Sequence, residues 1–484
     1  MKKSSHWLQK LRVNWHKPLL LIFLLTTYYI LNINLGRDAL FDWDEGIYAQ
    51  LGSELIKSGN WFINTWNYSS WFEKPPGISW ISAIGQLIAG HTSYGSRLLM
   101  PAISTLTLYM IYLLGKKLKN HRVGLMAAGF LLGFNLFLGR TRAVNTDMPL
   151  LLGIITTLYL IITNQSAWKI AFVVAFSIWF KGLAGLLPII ISLPLFLTKN
   201  KQYFLSTTYY ILLTIIPWHL YAYLHYGREF LSPYFFEQVM TRVTSPIEFH
   251  LESRWFYIQY LYDNLGLGMI IVFLLAIIYF AYTFYQKKKW QTHHILIWWF
   301  IIPIVIFTIA KTRLFWYILP VYPAIALTLA YFLDSFAINK QSRRVLTILT
   351  IGILAQGLRS AYFSVEPHKL TAIAPDRIIV SSVLSKTYTS SLAVLVPPSE
   401  RMAEAILPDT QRISSSFRYG GMPSVVYYYQ SPVIFFYNVD KFLEYWNTDN
   451  NIVAMISTDD QKLVNSFSIL VTTNTYLGIT KEDL

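Results

Sequence analysis

Long apolar runs recur along this chain and constrain its fold more than any other feature. Several of them reach about 18–20 residues, the length that an α-helix needs to cross the hydrocarbon core of a bilayer. Hydrophobic residues make up 54% of the sequence and charged residues only 13%, about half the charged share of a typical soluble domain. We therefore predict a polytopic α-helical membrane protein.

Eleven membrane spans are predicted from these runs. They cover residues 18–35, 98–115, 123–138, 148–163, 168–180, 182–198, 203–224, 265–285, 294–310, 316–335 and 345–362. Two of these spans, 148–163 and 168–180, are short and can be drawn differently, so about 11–13 spans are expected. The first span follows a basic stretch without a small-residue cleavage site, which indicates an uncleaved anchor.

Basic residues mark one side of the predicted membrane domain. If the N-terminus is cytoplasmic, the cytoplasmic segments carry Lys and Arg but no Asp or Glu; they are 1–17, 116–122, 164–167, 199–202, 286–293 and 336–344. This is the positive-inside pattern, so the net charge of +15 is a topology signal and does not indicate nucleic-acid binding. The outer face then receives the loops 36–97 and 225–264 of a transmembrane domain over 1–362, and an extracytoplasmic domain over 363–484.

Acidic residues are absent from the middle of every predicted span. Ion-coupled transporters usually need ionisable groups or broken helices near the bilayer midplane. The sequence therefore favours chemistry at the outer rim of the membrane. A transporter or lipid flippase that binds phosphate headgroups stays open as the alternative. The chain has no cysteine, which excludes disulfides, thiolate metal sites and cysteine nucleophiles.

Three carboxylates stand close together at the start of the first outer loop, in FDWDEGIYAQ at 41–50. From Glu45 onward, apolar residues repeat at helical spacing up to Gly59, which predicts an amphipathic helix on the outer membrane surface. Asp42 and Glu45 have the spacing of a capping box at the start of that helix. Asp44 is then left without a capping role and is the carboxylate most available for chemistry.

Charged residues from four further segments are predicted to lie at the same membrane face. Glu73 and Lys74 precede a Pro-Pro pair that prevents a helix at the residue before it. The other segments contribute Arg140, Arg142, Asp147, Glu237, Arg242, Lys311, Arg313 and Tyr317. Solvated ion pairs are the alternative interpretation, and Asp147 could be the N-cap of a span with Pro149 in its first turn.

Several ordered motifs carry a resemblance to a known family. They are WDEGIYAQLGSELIKSGNW, WFEKPPGISWISAIGQL, SRLLMPAISTLTLYMIYLLGKKL, RAVNTDMPL, WFKGLAGLLP, PWH and KTRLFWYILPVYPAIAL. Over about residues 40–335 the chain resembles the bacterial aminoarabinose transferases of lipid A. These belong with the protein O-mannosyltransferases among the GT-C glycosyltransferases. The resemblance implies the GT-C fold and transfer of a monosaccharide from a polyprenyl-phosphate donor, such as undecaprenyl phosphate. The acceptor would be a lipid A-like glycolipid, a polysaccharide or a protein.

The resemblance also implies roles for individual residues. Asp44 matches the catalytic carboxylate and Asp147 the second acidic position. Lys74, Arg242 and Tyr317 match donor-phosphate contacts. Carboxylates suit this chemistry because they stabilise an oxocarbenium-like transition state and accept a proton, while cations hold the charge of a departing phosphate. A retaining or an inverting outcome is left open, as is a polymerase or ligase that uses a diphosphate-linked donor.

The chain departs from the family pattern at two places. An Arg commonly follows the first Asp-Glu pair, and Gly46 stands there in this sequence. Relatives can hold zinc between the Glu of Glu-Lys-Pro-Pro and a His in the loop before Arg242, but residues 237–241 contain no His. A divalent metal on Glu73, with Glu237, His225 or His250 as a further ligand, stays an open expectation.

The region after Ser364 differs in character from the rest of the chain. β-branched and aromatic runs (RIIVSSVL, LAVLVPP, SVVYYYQSPVIFFY, NIVAMIST and SILVTT) alternate with helical stretches such as SERMAEAIL and DKFLEYW. This alternation predicts a small α/β domain, which could bind the acceptor or only cover the site. For the whole protein we expect a monomer in the inner membrane, with its active site facing the periplasm or exterior.

Overall fold

The computed structural model describes residues 15–246, 252–288, 290–366, 368–369, 374–405, 418–448 and 452–481. Most of the basic N-terminal segment and the candidate ligand His250 lie outside these ranges. The described part of the chain consists of a large bundle of helices followed by a domain that contains a five-stranded sheet.

The helical bundle accounts for the described residues up to 364. Its α-helices begin, in chain order, with α1 His16–Asn32, α2 Asp44–Ser58, α3 Gly77–Ala89, α4 Ser93–Arg97, α5 Met100–Leu118, α6 His121–Gly133, α7 Asn135–Arg140, α8 Asp147–Ile162, α9 Ala167–Lys181, α10 Leu187–Leu197 and α11 Lys201–Tyr226. They are followed by α12 Arg228–Leu231, α13 Arg242–Thr244, α14 Phe256–Leu265, α15 Leu267–Lys287, α16 Ile295–Ile309, α17 Tyr322–Ser335 and α18 Lys340–Ser364. A two-stranded ribbon, β1 Thr65–Trp66 and β2 Ser69–Ser70, lies in the first outer loop.

Helices long and apolar enough to cross a membrane confirm the polytopic class. Six helical stretches in the described part of the chain meet this criterion: Ser93–Leu118, Ala167–Leu197, Leu267–Lys287, Thr292–Ile309, Phe315–Ser335 and Lys340–Ser364. Two shorter apolar helices are α3 and α8. On α15 the exposed side chains include Ile271, Leu274 and Ile278, as expected for a surface in contact with lipid. The full count of eleven spans stays a prediction.

Close backbone contacts tie the centre of the bundle together around α6, which packs against α5, α17 and α18. A Cβ atom at Gly115 would lie 2.8 Å from the Cα of Gly124, and one at Gly357 would lie 2.7 Å from the carbonyl oxygen of Gly129. Small residues permit this approach between membrane helices. The tight packing gives a rigid base for the outer loops.

Helix α2 begins and ends near the predicted residues but does not lie on the surface. Gly59 ends it in the left-handed conformation, at φ 68°, which confirms the predicted stop. All residues from Glu45 to Leu55 are buried, because α3 covers one side of the helix and the C-terminal region covers another. The exposed polar face expected of an amphipathic surface helix is therefore absent from residues 45–55.

The C-terminal region forms a mixed sheet in the strand order β4-β3-β5-β7-β6. The strands are β3 Leu392–Leu395, β4 Val433–Phe436, β5 Val453–Ser457, β6 Ser468–Thr472 and β7 Tyr476–Thr480. Strand β3 is parallel to β4 and β5, whereas β7 is antiparallel to β5 and β6. The small α/β fold predicted for this region is confirmed.

The helices of this region are α19 Asp376–Leu384, α20 Pro398–Ala405, α21 Ser424–Tyr429 and α22 Val439–Thr448. Helices α20 and α22 agree with the predicted helical stretches, but α19 and α21 were predicted to be extended. Ile378, Val380 and Leu384 of α19 are buried, as are Val425, Val426, Tyr427 and Tyr429 of α21, and the two helices pack against the sheet and α2. Tertiary packing therefore overrides the local preference for strand.

Candidate active site

Asp44 is placed by a buried ion pair at the start of α2. The preceding residue, Trp43, has a φ of 66°, and the helix begins at Asp44 itself. Next to it, the Glu45 carboxylate accepts hydrogen bonds from Nε and Nη2 of Arg97 at 2.8 and 2.7 Å. It also accepts from the backbone amides of Phe41 and Val144. Glu45 thus fixes the turn that presents Asp44.

Asp42 has a different role from the one predicted. No side chain caps the first turn of α2, so the predicted capping box is absent. The Asp42 carboxylate instead forms an ion pair with Arg377 and accepts hydrogen bonds from the backbone amide and hydroxyl of Ser424. The sequence could not show this, because both partners follow more than 330 residues later. Asp42 joins the outer loop to the C-terminal domain.

Tyr48, one helical turn after Asp44, is the centre of the site. Its hydroxyl donates to Oδ1 of Asp44 at 3.3 Å and accepts from Nζ of Lys74 at 2.6 Å. Burial raises the pKa of Tyr48 well above its usual value, and the negative charges of Asp44, Glu73 and Asp147 raise it further. The phenol therefore stays protonated and links the catalytic carboxylate predicted at 44 to the predicted phosphate contact at 74.

Lys74 is a half-buried cation just before α3. The Pro75-Pro76 pair ends the preceding extended segment, and α3 begins at Gly77, where a Cβ atom would lie 2.6 Å from the carbonyl oxygen of Trp179. Burial lowers the pKa of Lys74, Asp44 and Glu73 oppose that shift, and Arg242 and Lys181 add to it. An anion that binds here would offset the repulsion between Lys74 and the nearby cations Arg242 and Lys181.

Asp147 lies at the first residue of α8, where it is buried. The N-cap interpretation was wrong, because the side chain of Asn145 accepts hydrogen bonds from the amides of Asp147 and Met148. The Asp147 carboxylate instead pairs with Lys181 and lies 3.4 Å from Nη2 of Arg140. Pro149 is in the first turn of the helix, as predicted.

Arg140 and Lys181 were not assigned roles from the sequence. The guanidinium of Arg140 stacks on Trp316 at 4.5 Å, and its buried Nε has no hydrogen-bond partner among the described residues. Nζ of Lys181 lies 5.6 Å from the centre of the Tyr317 ring. Lys181 therefore lies between the Asp147 carboxylate and the Tyr317 ring. In the sequence, the glycine after Lys181 is the local indication that the helix ends there. Gly182 has a φ of 56° in the structure.

Arg242 and Tyr317, two of the predicted donor-phosphate contacts, are hydrogen-bonded to each other. Nη1 of Arg242 donates to the Tyr317 hydroxyl at 3.0 Å, and Nε donates to Oε1 of Gln238 at 3.1 Å. Gln238 lies in a π-helical segment, Ser232–Thr241, that ends just before Arg242. Arg313 points elsewhere and donates to the carbonyl oxygens of Glu252 and Thr308.

Glu73 is surrounded by hydrogen-bond donors, and its surroundings do not fit the zinc site of the relatives. Oε1 accepts from the hydroxyl of Tyr419 at 2.5 Å, and Oε2 accepts from the amide nitrogen of Gln238 at 2.9 Å. An amide N–H₂ group donates hydrogen bonds and cannot ligate a metal. Within the described ranges, no group of three or more His, Cys, Asp or Glu side chains is arranged to hold a metal ion.

Gly46, where relatives commonly carry Arg, faces the C-terminal domain. A Cβ atom at this position would lie 3.0 Å from Cα and Cβ of Ser424. An arginine would therefore displace α21, whose first residue is Ser424. The departure from the family pattern follows from the way that this chain packs its C-terminal domain onto α2.

The structure thus brings the six residues that were assigned site roles from the sequence close together, whereas Arg313 points elsewhere. Three carboxylates and four cations converge there: Asp44, Glu73, Asp147, Lys74, Arg140, Lys181 and Arg242. These three carboxylates differ in their partners. Among the described residues, Asp44 accepts one hydrogen bond, from a phenol hydroxyl, and forms no ion pair. Such an arrangement can bind a phosphate beside a carboxylate that is available to accept a proton.

Comparisons with known proteins agree with the predicted family. The family described as dolichyl-phosphate-mannose-protein mannosyltransferase matches residues 73–221. An undecaprenyl phosphate-alpha-4-amino-4-deoxy-L-arabinose arabinosyl transferase of Pseudomonas fluorescens is 26% identical over 327 residues, which cover 63% of this chain. The matched region spans 56% of that relative, so it represents only a little over half of the relative's length.

Solved structures share the fold over nearly the whole chain. ArnT from Cupriavidus metallidurans, bound to undecaprenyl phosphate, superposes with a TM-score of 0.73 at 15% identity, covering 96% of this chain and 98% of ArnT. The archaeal oligosaccharyltransferase AglB from Archaeoglobus fulgidus superposes with a TM-score of 0.54 at 13% identity, covering 93% of this chain and 70% of AglB. The GT-C fold and the resemblance to the aminoarabinose transferases are confirmed.

Proposed function

We propose that this GT-C protein transfers a monosaccharide from a polyprenyl-phosphate donor to a hydroxyl or phosphate-bearing acceptor at the outer face of the inner membrane. The donor class is that of the ligand in the ArnT structure, undecaprenyl phosphate. The acceptor is a glycolipid of the lipid A type, a glycan or a protein. The protein acts as a monomer within the membrane lipids.

The observation that carries this proposal is the Asp44–Tyr48–Lys74 chain. Tyr48 donates to Asp44 at 3.3 Å and accepts from Lys74 at 2.6 Å, so a carboxylate and a cation contact the same phenol hydroxyl. In this proposal the donor phosphate binds at Lys74 and the anomeric carbon lies beside Asp44. This is the order of groups that glycosyl transfer from a phosphate needs.

The chemistry follows from these positions. An acceptor oxygen attacks the anomeric carbon, and its proton passes to the Asp44 carboxylate. The bond between the anomeric carbon and the phosphate oxygen breaks, and the electron pair leaves with the polyprenyl phosphate. Lys74 and Arg242 stabilise that charge, together with the phenol of Tyr317 and the unpartnered N–H of Arg140. These are charge-assisted hydrogen bonds, the strong class.

Asp147 has a supporting role in this proposal. Its carboxylate is paired with Lys181 and lies near Arg140, so it orients two cations toward the phosphate. A paired carboxylate is a poorer base than Asp44, because its lone pairs are already engaged.

A transfer assay with purified protein tests the proposal. The protein is placed in liposomes with a polyprenyl-phosphate sugar that is radiolabelled in the sugar, together with a lipid A acceptor or an extract of bacterial glycans. We expect labelled acceptor and one released polyprenyl phosphate for each sugar transferred. Movement of the intact labelled lipid between leaflets without cleavage would instead support the flippase alternative.

A further inference from the structure

Tyr419 brings the C-terminal domain into the site. It is only 3% exposed, and its ring packs against Trp66 at 4.8 Å and Trp43 at 6.1 Å. Its hydroxyl accepts a hydrogen bond from Nε1 of Trp71 at 2.6 Å and donates to Glu73 at 2.5 Å. Two partners and a packed ring therefore fix both the position of the hydroxyl and the direction of its proton.

A continuous row of hydrogen bonds runs from this hydroxyl to the predicted phosphate contacts. Glu73 accepts from the amide nitrogen of Gln238 at 2.9 Å. The amide oxygen of Gln238 accepts from Nε of Arg242 at 3.1 Å, and Arg242 donates to the hydroxyl of Tyr317 at 3.0 Å. Each group has one orientation that satisfies both neighbours. The position of the Tyr419 hydroxyl therefore constrains, through Glu73 and Gln238, the position of the Arg242 guanidinium.

We propose that Tyr419 is a positioning residue for Arg242, acting through Glu73 and Gln238. The inference rests on the proposed function, in which Arg242 binds the donor phosphate. It gives the C-terminal domain a defined part in donor binding. Neither the acceptor-binding role nor the simple covering role predicted for that domain includes such a part.

The charges along the row support this role. Burial raises the pKa of Tyr419 well above its usual value, and the Glu73 carboxylate beside it adds to the shift. The phenol therefore stays protonated throughout the range in which a membrane enzyme works, and it continues to donate. Glu73, held between two donors, presents a fixed negative charge that orients the Gln238 amide.

The row also occupies the place where the resemblance implies a metal. The resemblance implies zinc between the Glu of Glu-Lys-Pro-Pro and a His in the loop before the arginine. Here a direct hydrogen bond between Glu73 and Gln238 joins the same two segments. Tyr419 supplies a second hydrogen bond to this half-buried carboxylate. The protein thus braces Arg242 with its own side chains.

Binding of undecaprenyl phosphate to the purified full-length chain tests the inference. We expect Tyr419→Phe, which removes only the hydroxyl, to weaken the Kd about tenfold, the change that corresponds to about 1.4 kcal/mol. Gln238→Ala, which breaks the same row at a half-buried position, should have a similar effect. A chelator should leave the Kd of the wild-type protein unchanged.

Tyr427→Phe is the matched control. Tyr427 is a buried tyrosine on the same domain, and its hydroxyl bonds to Ser96 at 3.0 Å, outside the row. Its Kd should stay within about twofold of wild type. In an Arg242→Ala background, Tyr419→Phe should cause no further loss, because the row acts only through the guanidinium.

The outcomes separate the inference from the proposed function. A wild-type protein that does not bind the lipid would overturn both. If the wild-type protein binds, equal effects of Tyr419→Phe and Tyr427→Phe would show that Tyr419 only holds the domains together. Independent, multiplying losses from Tyr419→Phe and Arg242→Ala would also overturn the inference. If the Tyr419→Phe variant does not fold, Gln238→Ala tests the same row. An unchanged Kd of Gln238→Ala for undecaprenyl phosphate would show that the row does not position Arg242.

Discussion

Replacing Arg97 by Met tests how firmly the first turn of α2, which begins at Asp44, is held in place. Arg97 is 5% exposed and Glu45 is 3% exposed. Arg97 makes two hydrogen bonds to the Glu45 carboxylate and three to the backbone carbonyls of Leu35, Asp38 and Ala39, all between 2.7 and 3.0 Å. The substitution leaves the Glu45 carboxylate buried without a counter-charge.

The expected loss is large. Removing one partner of a buried ion pair costs about 3–5 kcal/mol, because the other charge stays in a medium of low dielectric. Backbone amides of Phe41 and Val144 still donate to Glu45 at 2.9 and 3.0 Å, so we expect the lower half of that range. The turn before Asp44 should loosen as well, and turnover should fall together with stability.

Unfolding in mixed micelles with increasing SDS, followed by tryptophan fluorescence, measures the change. The control is the double variant Arg97→Met/Glu45→Gln, which removes both charges but keeps an acceptor oxygen for the two amides. Its loss should be smaller than that of Arg97→Met alone, because no uncompensated charge stays buried. A single-variant loss below about 1 kcal/mol, the value of an exposed pair, would refute this account of the pair. A double variant that loses the sum of the two single effects would do the same.

Four further predictions concern Lys74, its pKa, Asp42 and the predicted topology. Lys74→Ala should weaken donor-lipid binding by roughly 10–100-fold, since a charge-assisted hydrogen bond to a phosphate is lost. Lys57→Ala on the same loop should have little effect. Equal effects of the two substitutions would contradict a role of Lys74 in phosphate binding. Because burial lowers the pKa of Lys74, its positive charge is lost at a lower pH than in a free lysine, so the Kd of wild type should weaken as pH rises into the alkaline range and that of Lys74→Ala should not. Asp42→Asn keeps an acceptor oxygen for the C-terminal domain and loses a partly exposed ion pair, so its unfolding free energy should fall by about 1 kcal/mol or less; a larger loss would give Asp42 a greater role. Cysteines at Ser70 and at Ser415, which lies outside the described residues, should both react with an impermeant reagent in intact cells, and labelling of only one would contradict a shared outer face.

The sequence predicts the membrane class and the general position of the site because its signals there are local. Apolar runs, basic loops and ordered motifs can be read without knowledge of tertiary contacts. The predicted site residues Asp44, Lys74, Arg242 and Tyr317 also rest on short motifs. The structure brings them together as the motifs imply, and their catalytic and binding roles stay predictions.

Contacts between distant segments account for what the sequence could not predict. The carboxylate of Asp42 was assigned to a helix cap, since its partners Arg377 and Ser424 lie at the other end of the chain. Tyr419 carries no motif, and its role becomes visible only when its hydroxyl is seen beside Glu73. Helix α19 was expected to be extended because its Ile and Val favour strands when they stand alone. In each case long-range packing decided the outcome.

The most direct test of the central claim is the turnover of Asp44→Asn. The substitution keeps the size of the side chain and an oxygen that can accept from Tyr48, but it removes the negative charge and the basicity. Transfer of labelled sugar from the polyprenyl-phosphate donor should fall by roughly 10²-fold or more, the scale for losing a general base. The Kd for the donor lipid should stay within about threefold of wild type. Near-normal transfer by this variant would contradict the assignment of Asp44 as the group that accepts the proton.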